Sequence, residues 1–399
     1  MPDANGDRHA VILSGGGAYG AYEVGVLKAM LTGQMPQTSF TPIDPDIFAG
    51  TSVGAINAAV LTSQIGSGAS AADAILFLEK VWMKAIAAGP DSCGNGAFRI
   101  RGDLFRYLNS RCIANPAQAI AEMGEDGAVI AQSFVDRIFN FANASGPVVN
   151  RALEFVDLST FVSSGPIQRL LEGILSLDAI RSSPKALRVV AANWETGEVR
   201  VFENKDFIDG QGREIVLASS AIPGFFPPQY IGGEAYVDGG VVMNTPLKCA
   251  ITAGGVVLHV IYLDPDIDKL PLKVLQNTYN TLDRTVLIHN ATVTNEDIDH
   301  AAWINEGLET IERAQRGELL GDQDLRAFAQ VAAEIAKSIK GGSPYRKLTI
   351  HRYHPHYDPG GGGIGILNFE RERMVRLIEL GFIDTIYHDC DESHCIRPN

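Results

Sequence analysis

Cysteine is scarce in this chain: Cys93, Cys112, Cys249, Cys390 and Cys395 are the only five in 399 residues. So sparse and odd a set excludes a disulfide framework as the basis of the fold. Positive charge is also in short supply. Lys and Arg number 33 against 47 Asp and Glu, a formal net charge of -14. That surface repels nucleic acid and strongly anionic membrane, so no nucleic-acid partner is expected. Neutral or zwitterionic lipid and uncharged acyl substrates stay open. Long apolar runs are missing, and none reaches bilayer-spanning length. The opening "MPDANGDRHA" lacks the basic-then-apolar order of an ordinary signal peptide. The expected location is cytoplasmic or peripheral to a membrane; export by another route would leave the same signature.

What is present suits a large core. Hydrophobic residues make up 46% and charged residues 20%, a balance that argues against global disorder. "AVILS" (Ala10 to Ser14) reads as a buried strand, and "AYEVGVLKAML" (Ala21 to Leu31) as a helix. "DIFAG" (Asp46 to Gly50) and "SVGAINAAVLTSQ" (Ser52 to Gln64) repeat that order. Strand, glycine turn, helix, twice over, predicts an α/β three-layer sandwich with a mainly parallel central sheet. Further strands are predicted at Ala186 to Trp194, Glu198 to Asn204, Glu234 to Gly240, Val256 to Asp264 and Tyr345 to Pro355. Residues 113–185 read as a cap or insertion, or as ordinary packing helices. The expected division is a domain at 8–268 and a C-terminal helical extension at 269–399, whose late strand is a candidate to join the main sheet.

Gly15, Gly17 and Gly20 satisfy G-x-G-x-x-G between a strand and a helix. That spacing suits a dinucleotide. However, Asp44 and Asp46, the acids nearest the expected ribose position, lie too far along and precede the second strand. No lysine follows Gly20, which removes the other phosphate-loop reading. The alternative use of the glycines is electrostatic. Bare backbone N–H groups near a helix start favour negative charge, including the oxyanion of an acyl intermediate.

That use requires a nucleophile. Gly50-Thr51-Ser52-Val53-Gly54 matches G-x-S-x-G between strand and helix, the setting of a nucleophile elbow. Ser52 is equally placed to be a helix N-cap. A base drawn from His259, His289, His300, His351, His354, His356, His388 or His394 has no context that singles it out, and His259 sits in an apolar strand as a core residue would. Asp238 ends "EAYV" ahead of Gly239 and Gly240, where it either faces a crevice or simply forms a turn. "HDCDESHC" (His388 to Cys395) is tight, terminal and rich in competing acids, unlike the separated ligand pairs of zinc sites, so no metal is expected.

Taken together, "GGGAYGAYEVGVL", "GTSVGAINA", "LASSAIPGFFPP" (Leu217 to Pro228) and "YVDGG" resemble the patatin-like phospholipase family, in order, over about residues 10–264. The resemblance implies an acyl hydrolase with a serine–aspartate dyad, without catalytic histidine, metal or other cofactor. It implies Ser52 as nucleophile, Asp238 as base, and an oxyanion hole at Gly15, Gly16 and Gly17, with Gly20, Gly50, Gly54, Gly239 and Gly240 supporting the motifs. Phe225 and Phe226 are candidates for an acyl pocket or for plain core. The implied partner is a phospholipid, lysophospholipid or other acyl ester, met at a transient membrane or micelle surface. A thioesterase, an acyltransferase and a non-catalytic nucleotide- or acyl-binding module are the alternatives. One departure stands out: Tyr19 occupies the place where the family's loop usually carries arginine or lysine.

Overall fold

The computed structural model describes residues 7–89, 94–103, 116–143, 162–263, 298–299, 301–310, 347–355 and 362–397, together with 288, 292, 312, 313 and 316. Most of residues 270–340 of the expected helical extension, and the centre of the expected cap, lie outside these residues.

In chain order the elements are β1 (His9–Leu13), α1 (Gly20–Leu31), β2 (Ile47–Thr51), α2 (Val53–Gly66), α3 (Ala71–Val81), β3 (Arg99–Ile100), α4 (Pro116–Asn143), β4 (Val162–Ser163), α5 (Gly165–Ile174), α6 (Leu177–Ser182), β5 (Ala186–Asn193), β6 (Val199–Glu203), α7 (Gly212–Ser219), β7 (Gln229–Ile231), β8 (Glu234–Asp238), α8 (Leu247–Thr252), β9 (Val257–Ile261), β10 (Thr349–Tyr353) and α9 (Arg371–Ile386). The main sheet runs β10-β9-β1-β2-β5-β8-β7, with β6 against β5. The β10, β9, β1, β2 and β5 pairings are parallel; β6, β7 and β8 add antiparallel ones. The late strand therefore lies in the main sheet, beside β9.

The centre of the sheet is apolar on both faces, as a parallel strand covered on both sides must be. Alternate residues divide between two cores. Val11, Leu13 and Phe48 pack with α1, α2, α3 and α9. Ala10, Ile12, Ile47 and Ala49 pack with Leu247 and Ala250 of α8 and with Ala301. Helices on both faces make this the three-layer sandwich. In α1 only Lys28 escapes full burial, because α9 covers the side of the helix that the sheet leaves open.

The register of β5 positions the site. Thr51 at the end of β2 pairs with Val190, and Asp238 at the end of β8 pairs with the next residue, Ala191. Since β6 occupies the other edge of β5 over Arg188–Ala192, β2 and β8 meet end to end along one edge. Ser52, directly after Thr51, is thereby delivered to Asp238.

The two-stranded β3–β4 sheet and α4 form a separate layer. A buried charge cluster ties it down. Arg99 pairs with Asp126 and Glu122 of α4, and Arg169 of α5 reaches Glu122 Oε1 at 2.8 Å.

Candidate active site

Ser52 occupies a backbone conformation that few L-residues adopt, φ 56° and ψ -123°, at the junction of β2 and α2. The turn is tight enough that a Cβ on Gly50 would stand 2.3 Å from the Gly54 carbonyl oxygen. No side chain fits at either glycine, so the motif's spacing has a steric cause. The strained conformation is clamped from outside. The Ser52 N–H donates to Ser219 Oγ at 2.9 Å, and the Ser219 hydroxyl donates onward to the Val190 carbonyl at 2.6 Å. The Ser220 hydroxyl donates to the Ser52 carbonyl at 3.1 Å. Both serines come from "LASSAIPG", whose local pattern does not reveal this role. Strain held in this way over-determines the direction of the Ser52 side chain.

Asp238 is 5% exposed and Ser52 4%. Burial pushes the Asp238 carboxyl from its ordinary 3.8 up to about 7, against opposing hydrogen bonds from the Ser52 side chain and the Gly240 N–H. The Gly240 N–H lies 2.7 Å from Oδ1. The two side chains singled out from sequence are thus brought together, with the carboxyl set in the range of a base that works near neutrality.

The glycine turn lies on the other side of Ser52. Gly15, expected among the oxyanion donors, has its N–H directed to the Asn244 carbonyl at 3.2 Å. The Asn244 side chain returns a bond to the Gly15 carbonyl at 3.3 Å. Among the described hydrogen bonds the N–H groups of Gly16 and Gly17 have no acceptor. Gly17 has φ +55° and opens the short turn that leads into α1, so these two donors sit where the helix dipole favours negative charge.

The positive charge missing at position 19 is present in space. Arg373 of α9, 5% exposed, lies with its guanidinium 4.7 Å from the centre of the Tyr19 ring. Its Nη1 also donates to the carbonyls of Gly365 and Asn368. Tyr19 therefore offers an aromatic face to a cation that arrives from the far end of the chain. No local spacing in the sequence could reveal this.

Behind the elbow, Glu23 of α1 is fully buried and accepts from Asn57 Nδ2 at 2.8 Å; Trp82 Nε1 donates to Asn57 Oδ1 at 2.8 Å. Burial drives the Glu23 carboxyl well above the usual range, opposed by its bonds from Asn57 and the Ser14 backbone. Burial therefore favours the proton-bearing form, and the side chain bridges α1 and α2 through Asn57.

An apolar pocket of about 700 Å³, counting its open mouth, adjoins Ser52. Ile56, Trp82, Ile167, Phe226, Ile366 and Phe369 supply much of its wall. Phe226 also meets Phe98 edge to face. Phe225, expected alongside it, is half-buried but is not a lining residue. Among the histidine candidates, His259 is buried in β9, stacked between His9 and His351, and burial drives its pKa well down. His289, His300 and His356 lie outside the described residues.

The family model for patatin-like phospholipases matches residues 11–251, which include the glycine turn, the elbow, the clamp serines and Asp238. The chain belongs to the patatin-like phospholipase family. Three curated relatives are uncharacterized NTE family proteins: Mb2594 of Mycobacterium bovis, and MT2641 and Rv2565 of Mycobacterium tuberculosis. Each is 28% identical over 157 residues, 39% of this chain and only 24% of the relative. The chain thus matches about a quarter of the length of these relatives. A solved structure, VipD from Legionella pneumophila, aligns over 96% of this chain and 70% of its own, with 15% identity and a TM-score of 0.35.

Proposed function

We propose that this chain hydrolyses fatty-acyl ester bonds of phospholipids or lysophospholipids through an acyl-serine intermediate on Ser52, with Asp238 as the only side-chain base. The observation that carries the reading is a buried carboxyl, raised to about 7, paired with a strained serine at the wall of an apolar pocket.

The ester carbonyl sits between Ser52 Oγ and the glycine turn. Asp238 accepts the hydroxyl proton as Oγ attacks, and the Gly16 and Gly17 N–H groups receive the oxyanion. One such donor is worth about 3 kcal/mol in the transition state. Asp238 then gives its proton to the departing alcohol. In the second half it takes a proton from water, whose oxygen attacks the acyl carbon, and returns that proton to Ser52 as the fatty acid leaves. One carboxyl serves both halves because the second reverses the roles of the first. The pocket beyond Ser52 takes the acyl chain, and its apolar wall keeps the carboxyl poorly hydrated between turnovers.

Ile120, Met123, Phe134 and Val135 are exposed on one side of α4 and support a transient contact with a micelle or bilayer surface. Among the described residues no helix is long and apolar enough to cross a membrane. The late segment, with β10 beside β9 and Ile366 and Phe369 at the pocket, supports treating 347–397 as part of the catalytic unit.

The test is labelling by a fluorophosphonate, read beside hydrolysis of a phospholipid panel with products identified by mass spectrometry. Labelling and fatty-acid release should both vanish in Ser52→Ala. Full hydrolysis by that variant would end the proposal, and release of thioester acyl groups alone would move the substrate class.

A further inference from the structure

The last turn of the chain folds back on the sheet. Ile396 pairs with Ile350 of β10 through two backbone hydrogen bonds, 2.8 and 2.9 Å. Between α9 and that bridge, residues 388–395 form a compact turn closed by Ser393 N–H to the Asp389 carbonyl at 2.9 Å and Cys395 N–H to the Cys390 carbonyl at 2.8 Å. The turn directs two sulfurs and one imidazole inward against the side chain of His351. One ligand-type atom each from His351, His388, Cys390 and Cys395 lies within 4.8 Å of the other three.

The spacing is informative. Cys390 Sγ is 3.4 Å from His351 Nδ1 and 3.6 Å from His388 Nε2, and Cys395 Sγ is 3.4 Å from His388 Nε2. A tetrahedral zinc with Zn–S near 2.3 Å and Zn–N near 2.05 Å has N···S edges of about 3.5 Å. Three N···S separations match that edge, and the donor set of two imidazoles and two thiols is one that zinc takes.

The surroundings fit as well. Ser393 Oγ is 3.3 Å from His388 Nδ1, where it can accept that nitrogen's proton when Nε2, which faces the sulfurs, binds a metal. The Arg352 backbone N–H donates to Cys395 Sγ at 3.4 Å, a contact that would orient this sulfur as a ligand. The nearby acids do not compete. Asp389 accepts the Asp391 N–H at 2.7 Å, and Asp391 pairs with Arg397; both are exposed. His394, which sequence reading grouped with this cluster, is exposed in a left-handed conformation and is not part of it. The separated pair that a zinc site needs is completed by His351 on β10. A scan of "HDCDESHC" alone does not include this residue.

We propose that His351, His388, Cys390 and Cys395 form a structural zinc site that fastens the C-terminal turn to the edge strand β10. The metal closes a loop from β10 through α9 to the end of the chain. That loop carries Ile366, Phe369 and Arg373, so the site secures the late wall of the pocket without touching substrate.

The test uses the full chain purified without chelator, and metal content is its readout, independent of hydrolysis. About one zinc per chain is expected, and Co2+ added to chelator-stripped protein should give the intense visible bands of tetrahedral thiolate-bound cobalt. Cys390→Ser and His351→Ala should lose both signals; Cys249→Ser, on α8 and outside the cluster, should keep them. Ser393→Ala should weaken zinc binding by about tenfold. Wild-type protein without zinc or cobalt bands overturns the proposal whether or not the variants fold. So does a Cys390–Cys395 disulfide in the freshly purified chain, or zinc retained when both cysteines are replaced by serine.

Discussion

Replacing Asp238 by asparagine tests the proposed base and the physics of its burial together. The variant keeps the side chain's shape and an oxygen to accept the Gly240 N–H, while removing the ionisable proton. In the folded protein the carboxyl titrates at about 7 instead of 3.8, so the folded state binds the proton more tightly than the unfolded chain does. Stability contributed by this group is therefore greatest at low pH. It declines as pH rises from about 4 to about 7 and stays level above that. The displacement corresponds to roughly 4 kcal/mol, an upper value for what Asp238→Asn can recover at about pH 8. Denaturant unfolding across pH is the assay. The variant and wild type should be matched near pH 4 and diverge through neutrality, with the variant the more stable above about pH 7 while hydrolysis is lost. Wild-type kcat/KM should rise with an apparent pKa of about 7, the pH at which the base sheds its proton. A stability difference that stays flat from pH 4 to 8, or a variant less stable than wild type at alkaline pH, would refute the claim that burial raises the carboxyl.

Three further perturbations follow from the packing around the site. In Glu23→Gln a neutral amide replaces a carboxyl whose burial favours the proton-bearing form, so unfolding free energy should change by less than about 1 kcal/mol and hydrolysis should persist; collapse of activity would show that Glu23 works as an anion. In Gly25→Ala the new Cβ would meet the Ile378 carbonyl oxygen at 2.0 Å, forcing α1 and α9 apart at a cost of about 1–3 kcal/mol, readable as a lowered denaturation midpoint. Arg373→Ala strips the cation from Tyr19 and leaves the Gly365 and Asn368 carbonyls without that donor; a loss of about 1–3 kcal/mol is expected, with kcat falling more than KM rises. Lysine there should not restore either, since it lacks the planar fork that reaches two carbonyls while lying flat on the ring.

The parts legible in the sequence were those whose cause is local. The β1 and β2 runs are apolar on both faces, and the helices after them begin where glycines permit a sharp turn, so pattern and structure agree to within a residue or two. Ser52 was visible because its strain needs neighbours without side chains. Asp238 was visible only as a carboxyl at a strand end; what makes it the partner of Ser52 is the register of β5, which pairs Val190 with Thr51 and Ala191 with Asp238. Register of that kind depends on three strands far apart in sequence. The Ser219 and Ser220 clamp and the commitment of Gly15 to Asn244 were hidden for the same reason, because a backbone hydrogen bond across the fold leaves no periodicity behind.

The late segment shows why a boundary in sequence similarity need not be a boundary in the structure. The family match ends at residue 251, yet a Cβ on Gly17 would lie 2.2 Å from the Ile366 carbonyl oxygen. The turn that presents the amide donors is thus pressed against backbone from beyond the match. Ile366 and Phe369 form pocket wall, Phe369 stacks on Trp82, and Arg373 covers Tyr19. An acyl site needs a dry pocket and donors held still, because a donor free to follow the ground-state carbonyl gives no preference to the transition state. In this chain both requirements are met partly by residues 366–373, which lead into α9, the helix that packs along α1. Tyr19 and Arg373 therefore act as one unit: with the cation supplied from α9, a second basic residue in the glycine turn would place like charges in contact within a buried space.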